Sequence, residues 1–307
     1  MKLHDTQITN YLTFCKSQKC LDVKTIRAYK IDLTHFASTM PAETSLYDIA
    51  SRQIESYIAH LHSIYKPKTA KRKIASLKAF FHYCEFYEFI ERNPFDKIQI
   101  RFREPVILPK TIPLQTLELF LSTIYNQRQL ATTSYQQKNA LRDAAVIELL
   151  FATGIRISEL CSLKSCDVNL NDNFVLIYGK GSKERKLQIG NDNVLKTLNE
   201  YKNTFSNEIE NCGHFFANQS GKPLSDQSVR RMIQKYASLA GIDQHITPHM
   251  FRHTFASSLL DADVDIRYIQ EMLGHSSITT TQIYTHVTLA KQKMILTTKH
   301  PRNGFCI

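Results

Sequence analysis

The sequence has no run of about 18 or more apolar residues, so a membrane-spanning helix is not expected. Its opening stretch, MKLHDTQITNYL, is too polar for a secretory signal. The seven cysteines are odd in number and form no CxxC pair. That pattern excludes a disulfide framework and a zinc ribbon, and it fits a reducing, cytoplasmic setting. Cys212 and His214 are too isolated to suggest a metal site. Internal repeats and low-complexity segments are also missing. What is present is apolar content and positive charge. Apolar residues make up 43% of 307, enough for a globular chain with two ordinary cores. Lys and Arg number 39 against 28 Asp and Glu, a net charge of +11. Residues 1–105 carry 17 basic and 11 acidic side chains, and the remainder carries 22 and 17. Both halves are therefore basic, which suits a clamp around a polyanion better than a single basic tail would.

Periodicity predicts a mainly α chain with a small antiparallel β-sheet, an α+β class. Residues 1–93 read as four helices. The first carries Ile8, Tyr11, Leu12 and Cys15 on one face. The second starts near the N-cap Asp22 and buries Ile26, Tyr29, Leu33 and Phe36. The third, from about Ser51, buries Ile54, Tyr57, Ile58, Leu61 and Ile64. The fourth follows Pro67 with Ile74, Leu77, Phe80, Phe81 and Cys84. It opens with KPKTAKRK, five of whose eight residues are basic. Cations at a helix N-terminus oppose the macrodipole, a cost that bound phosphates would offset. Residues 94–113 hold four prolines without periodicity and read as a linker. In residues 114–307, helices are expected near 114–125, 139–152, 191–205, 225–239, 247–261, 265–273 and 277–287. A hairpin is expected in FVLIYGKGSKERKLQIG.

Four segments carry candidate chemistry. In ATGIRISEL, Gly154 breaks a helix and Arg156 opens the next, so exposed N–H groups and a guanidinium make an anion site. Glu159, one turn on, is placed to orient Arg156. Surface Arg–Glu pairs are common, so this segment is a weak signal alone. The hairpin turn carries Lys180 and Lys183; an ammonium there can donate a proton to a leaving alkoxide, although basic turns are usually just solvated. In TPHMFRHTFAS, Thr247 is a good N-cap and Pro248 fits the first turn, putting His249 and Arg252 three apart on one face. Such donors suit a pentacoordinate phosphate as its charge grows; a buried structural histidine is the commoner use. In LGHSSITTTQIYTH, Gly274 ends a helix, His275 follows, and Tyr284 lies about two turns into the next helix. A phenol with a pKa near 10 needs neighbouring cations or hydrogen bonds to act as a nucleophile. Of fourteen tyrosines, chemistry alone leaves Tyr284 one candidate among several.

Taken in this order, the four segments resemble the tyrosine recombinases, most closely the bacterial Xer and phage or transposon integrase branch. The resemblance covers nearly the whole chain: a SAM-like helical core-binding domain, a linker, then a catalytic domain with a C-terminal tail. It implies catalytic roles for Arg156, Lys180, His249, Arg252, His275 and Tyr284, and HPR at 300–302 is similar to the Xer ending. By the same resemblance Tyr284 attacks a scissile phosphate to give a 3′-phosphotyrosine, and Arg156 and Arg252 hold the non-bridging oxygens. His249 and His275 assist, Lys180 protonates the departing 5′-oxygen, and a partner strand's 5′-hydroxyl reverses the step through a Holliday junction. Neither metal nor cofactor is implied, since the arginines neutralise the phosphate.

The resemblance further implies duplex DNA held in a C-shaped clamp, with Lys24, Thr25 and Arg27 of the second helix and Lys68, Lys71 and Arg72 of the fourth facing it. It implies a homo- or hetero-tetramer on DNA that exchanges the segment after Thr288, with Met294, Ile295 and Leu296. A second recombinase or a DNA translocase could join it. Chromosome dimer resolution is one expected role. A mobile-element integrase, a type IB topoisomerase and a catalytically silent DNA-binding protein are the alternatives.

Overall fold

The computed structural model describes residues 3–41, 44–100, 109–179 and 184–274. The chain divides into two compact units, Met1–Val106 and Ile107–Ile307. Each has its own buried core. Among the described residues, no helix is long and apolar enough to cross a membrane.

The first unit is built from α1 (Leu3–Ser17), α2 (Val23–Thr39), α3 (Ser51–Ile64) and α4 (Pro67–Phe86). Asp22 caps α2 by accepting the Lys24 N–H at 2.7 Å, which satisfies one orphan donor of the first turn. Pro67 opens α4, where its missing N–H costs nothing. Tyr11, Cys15, Leu33, Ile54, Leu61, Leu77, Phe81 and Cys84 fill the core, as the 3.6-residue spacing implies. Ile64 departs from expectation and is 59% exposed. It is the last residue of α3, and Tyr65 packs against the core in its place. The turns after α4 stay with this unit: Phe95 is buried, and the Ser51 hydroxyl donates to the Pro94 carbonyl at 2.8 Å.

The second unit contains α5 (Leu114–Gln129), α6 (Ser134–Thr153), α7 (Ile157–Ser162), β1 (Val168–Asn169), β2 (Phe174–Tyr178), β3 (Glu184–Gln188), α8 (Asp192–Thr204), α9 (Ser206–Cys212), α10 (Asp226–Leu239), α11 (Pro248–Asp261) and α12 (Ile266–Leu273). The sheet is antiparallel in the order β1-β2-β3. Helix α6 is the centrepiece, buried almost all round and packed by α5, α8 and α11. Its two buried acids are satisfied: Tyr125 donates to Glu148 at 2.6 Å and Tyr236 to Asp143 at 3.1 Å, as burial of a polar group requires. Upstream, the Ile112 N–H donates to the Thr254 hydroxyl at 2.8 Å, seating the chain against α11 before α5 begins. Ser225 and Asp265 cap α10 and α12. Thr247 stands at the N-cap of α11, yet its hydroxyl makes no capping hydrogen bond. The expected helix at 277–287 lies outside the described residues.

Candidate active site

Two left-handed glycines shape the site. Gly154 closes α6 at φ +60°, and a Cβ there would lie 2.5 Å from Phe255 Cδ1. Conformation and space both demand glycine. The reversal makes Arg156 the N-cap residue of α7. Gly274 closes α12 at φ +62°, where a Cβ would come within 2.9 Å of Arg185 Nη1.

Glu159 sits at the centre. Its Oε2 accepts the Arg156 backbone N–H at 2.8 Å, and its Oε1 accepts Arg156 Nη1 at 2.8 Å. Arg185, on β3, donates Nη2 to the same Oε2 at 2.7 Å and Nη1 to Oε1 at 3.2 Å. The carboxylate is almost fully buried. Burial alone would push its pKa up, but the hydrogen bonds from Arg185 and Arg156 hold it below the ordinary glutamate value. It therefore stays ionised and fixes the Arg156 guanidinium, which is still 36% exposed.

Arg252 is 4% exposed. Its Nη1 donates to the Gly154 carbonyl at 2.8 Å and its Nη2 to the Leu273 carbonyl at 2.5 Å. A buried cation thus ties together the C-terminal ends of α6 and α12, where helix dipoles concentrate negative potential. One turn earlier in α11 lies His249, exposed at the surface. Partial burial first, then the charges of Arg230, Arg252 and Arg156, hold its pKa below the usual histidine range. The imidazole is therefore neutral near pH 7 and ready to take up a proton once an anion enters. Its neighbour His253 is depressed further, to about 4, by burial, His249 and Arg252.

The structure thus brings Arg156, Glu159, His249 and Arg252 into one cluster. Lys180, Lys183, His275 and Tyr284 lie outside the described residues. Two residues of the cluster carry no role in the sequence reading. Arg185 lies in a basic hairpin strand, where alternation puts it on the face of Leu187. Arg230 sits in α10 with nothing local to mark it. Among the described residues, Arg156 and Arg185 bind Glu159, and Arg156, Arg230 and Arg252 act on His249, a positive excess that attracts anions. Among the described residues, no group of three or more His, Cys, Asp or Glu could hold a metal ion.

In the first unit, Lys24, Arg27, Lys68, Lys71 and Arg72 are exposed and Thr25 is half-buried. The basic run of α4 does not act as one face. Lys73 points inward, 3.3 Å from the buried Asp32, and Arg72 also pairs with Asp32. The Ser76 hydroxyl donates to the same carboxylate at 2.9 Å.

Residues 124–291 match the phage integrase family, and residues 8–85 match the phage integrase N-terminal SAM-like domain. The chain is 68% identical to a tyrosine recombinase of Agathobacter rectalis, with 98% of each chain covered. It is 34% identical to tyrosine recombinase XerD of Listeria innocua, over 96% of this chain and 98% of that one. The fold is similar to that of XerH site-specific recombinase bound to difH substrate, with a TM-score of 0.70 and 24% identity, covering 92% of this chain and 83% of that one. A family model that matches more than half of the chain, with relatives named tyrosine recombinase covering nearly all of it, places the protein in the phage integrase family of tyrosine recombinases.

Proposed function

We propose that this chain is a site-specific DNA recombinase of the Xer-like branch, cutting and rejoining strands through a 3′-phosphotyrosine at Tyr284. The observation that carries the reading is the convergence of Arg156, His249 and Arg252 at the ends of α6, α7 and α11, with Glu159 holding Arg156. A phosphate entering this cleft gains two guanidinium groups and a nearby imidazole. Such donors stabilise the extra negative charge of a pentacoordinate transition state. Tyr284 Oη attacks phosphorus as its proton passes to a histidine, His249 or His275, the bond to the 5′-oxygen breaks, and Lys180 supplies the proton to that oxygen. The 5′-hydroxyl of a partner strand then attacks the phosphotyrosine and releases Tyr284. Bond energy is conserved in the covalent intermediate, so neither metal nor cofactor enters the scheme. Whole-length identity to relatives named tyrosine recombinase, XerD among them, supports this reading.

The partners that follow are duplex DNA and further recombinase subunits. Four subunits, of this chain or with a second recombinase, exchange strands between two duplexes and pass the segment after Thr288 between neighbours. In the chromosomal role a DNA translocase brings the two sites together. Lys24, Thr25, Arg27, Lys68, Lys71, Arg72 and Lys183 contact DNA, mostly at phosphates.

The test uses a nicked suicide duplex bearing the site that the protein selects from a random-sequence duplex pool. Wild type should give a protein–DNA species that survives denaturing gel electrophoresis, and Tyr284→Phe should give none. Equal behaviour of the two proteins would remove Tyr284 as the nucleophile.

A further inference from the structure

We propose that Arg185 is a positioning residue of the cleavage reaction, locking the Glu159 carboxylate that aims Arg156 while fastening the last turn of α12 through the Met272 carbonyl. The inference rests on the recombinase reading above and adds to it a residue to which the resemblance assigns no role.

The geometry is a fork used at both ends. Nη2 and Nη1 meet the two carboxylate oxygens of Glu159 at 2.7 and 3.2 Å, and Nε donates to the Met272 carbonyl at 2.8 Å. The two side chains are 9% and 6% exposed. A planar guanidinium can make these three bonds at once, whereas a lysine ammonium offers a point charge without the fork. Its placement follows from strand register. Arg185 pairs across the sheet with the buried Ile177, and Leu187 follows two residues on along the same face. The face that would ordinarily take an aliphatic residue takes an arginine, because Glu159 waits opposite it in α7.

Gly274 completes the arrangement. The φ of +62° favours glycine there, and a Cβ at that position would lie 2.9 Å from Arg185 Nη1 and 3.2 Å from its Cδ, so a side chain would press on the guanidinium. Arg185 therefore joins three parts of the site that are far apart in sequence. It belongs to the strand that begins four residues after Lys180. It grips the helix that Arg156 opens, and it holds the helix end that His275 directly follows. If the grip is lost, Arg156 has a partner that is no longer fixed, and the α12 end loses a buried donor.

A chemical signature separates positioning from mere support. Glu159 faces Arg156 from its own turn and Arg185 from β3, while Lys164, Asp167 and Tyr178 line a cavity of about 300 Å³ beside it. Burial is the largest influence on its carboxyl and acts upward, and the Arg185 hydrogen bond is the largest opposing one. Without Arg185, Glu159 takes up a proton at higher pH and lets Arg156 go.

The full-length protein is assayed on the nicked duplex described above, in single turnover, from about pH 5 to 9, bracketing the ordinary carboxylate and histidine ranges. Arg185→Gln should slow adduct formation about 10²-fold, with DNA affinity within about twofold of wild type. The acidic limb of its rate profile should move up by about one pH unit or more. Arg185→Lys, which keeps the charge and guards against failure to fold, should keep the wild-type acidic limb and remain slow. The Arg185→Gln/Glu159→Gln double variant should be no slower than Glu159→Gln alone, because both act through one contact. Wild-type rates and an unmoved limb in both Arg185 variants would overturn the proposal, as would rate losses that multiply in the double variant. A wild-type protein that forms no adduct would overturn the recombinase reading as well, whereas normal wild-type cleavage with indifferent Arg185 variants would overturn the positioning role alone.

Discussion

Two arginines with helices α8, α9 and α10 between them do different physical work. Arg156 is 36% exposed and braced by a carboxylate, so its guanidinium faces outward with its orientation set. Arg252 is buried and spends donors on the carbonyls that end α6 and α12. A conservative change should therefore separate them. Arg252→Lys leaves at least one buried carbonyl without its donor and should lower unfolding stability by about 1–3 kcal/mol. Arg156→Lys should stay within about 0.5 kcal/mol of wild type, as surface changes usually do, while both variants lose adduct formation. Urea unfolding alongside the suicide-substrate assay checks the pair; an Arg252→Lys protein as stable as wild type would contradict the buried tie. The resemblance implies one role for both arginines, holding the non-bridging phosphate oxygens. Nothing local distinguishes them, because Arg252's carbonyl partners come from positions 154 and 273.

At the scale of elements, helix starts were the most legible feature. Asp22, Ser225 and Asp265 each cap a helix through a side-chain oxygen, and a cap is a local contact that spacing alone exposes. The departures have separate causes. Helix α9 has 7 residues and β1 has 2, too short for any period to register. Ile64 kept the period yet fell beyond the last turn that packs. Within the basic run of α4, Lys68, Lys71 and Arg72 are exposed, whereas Lys73 turns inward to Asp32 of α2. That pairing makes an asymmetric prediction. Asp32→Ala leaves Lys73 buried without its counter-charge and should cost about 3–5 kcal/mol. Lys73→Met should cost clearly less, because Asp32 keeps Arg72 and Ser76 as partners. Denaturant unfolding of both variants decides it, and equal losses would count against the ion cluster as the lock between α2 and α4.

At the scale of the whole molecule, charge and core both come in two portions. Each unit closes its own apolar core, and each carries an excess of basic residues. DNA affinity should fall steeply with salt, each phosphate contact contributing about 0.9 to the logarithmic slope. Lys68→Ala should lower that slope by about one and leave stability unchanged. Arg72→Ala should change the slope less, since its guanidinium is already paired with Asp32, and should cost stability instead. Binding isotherms from low to moderate salt measure the slopes; identical slopes for the two variants would show that the Asp32 pairing does not hold Arg72 back from phosphate.

The chain's own order of residues determined the mainly helical class, most helix starts, the two glycine breaks at 154 and 274, and a set of cationic groups suited to one phosphate. These follow from periodicity and from contacts between near neighbours, which a linear reading can see. Tertiary structure alone decided that Arg185 and Arg156 share one carboxylate, that Arg252 joins two helix ends, and that Lys73 faces inward. The reason is that a buried charge is tolerable only beside a partner, and here the partners come from elements far apart along the chain.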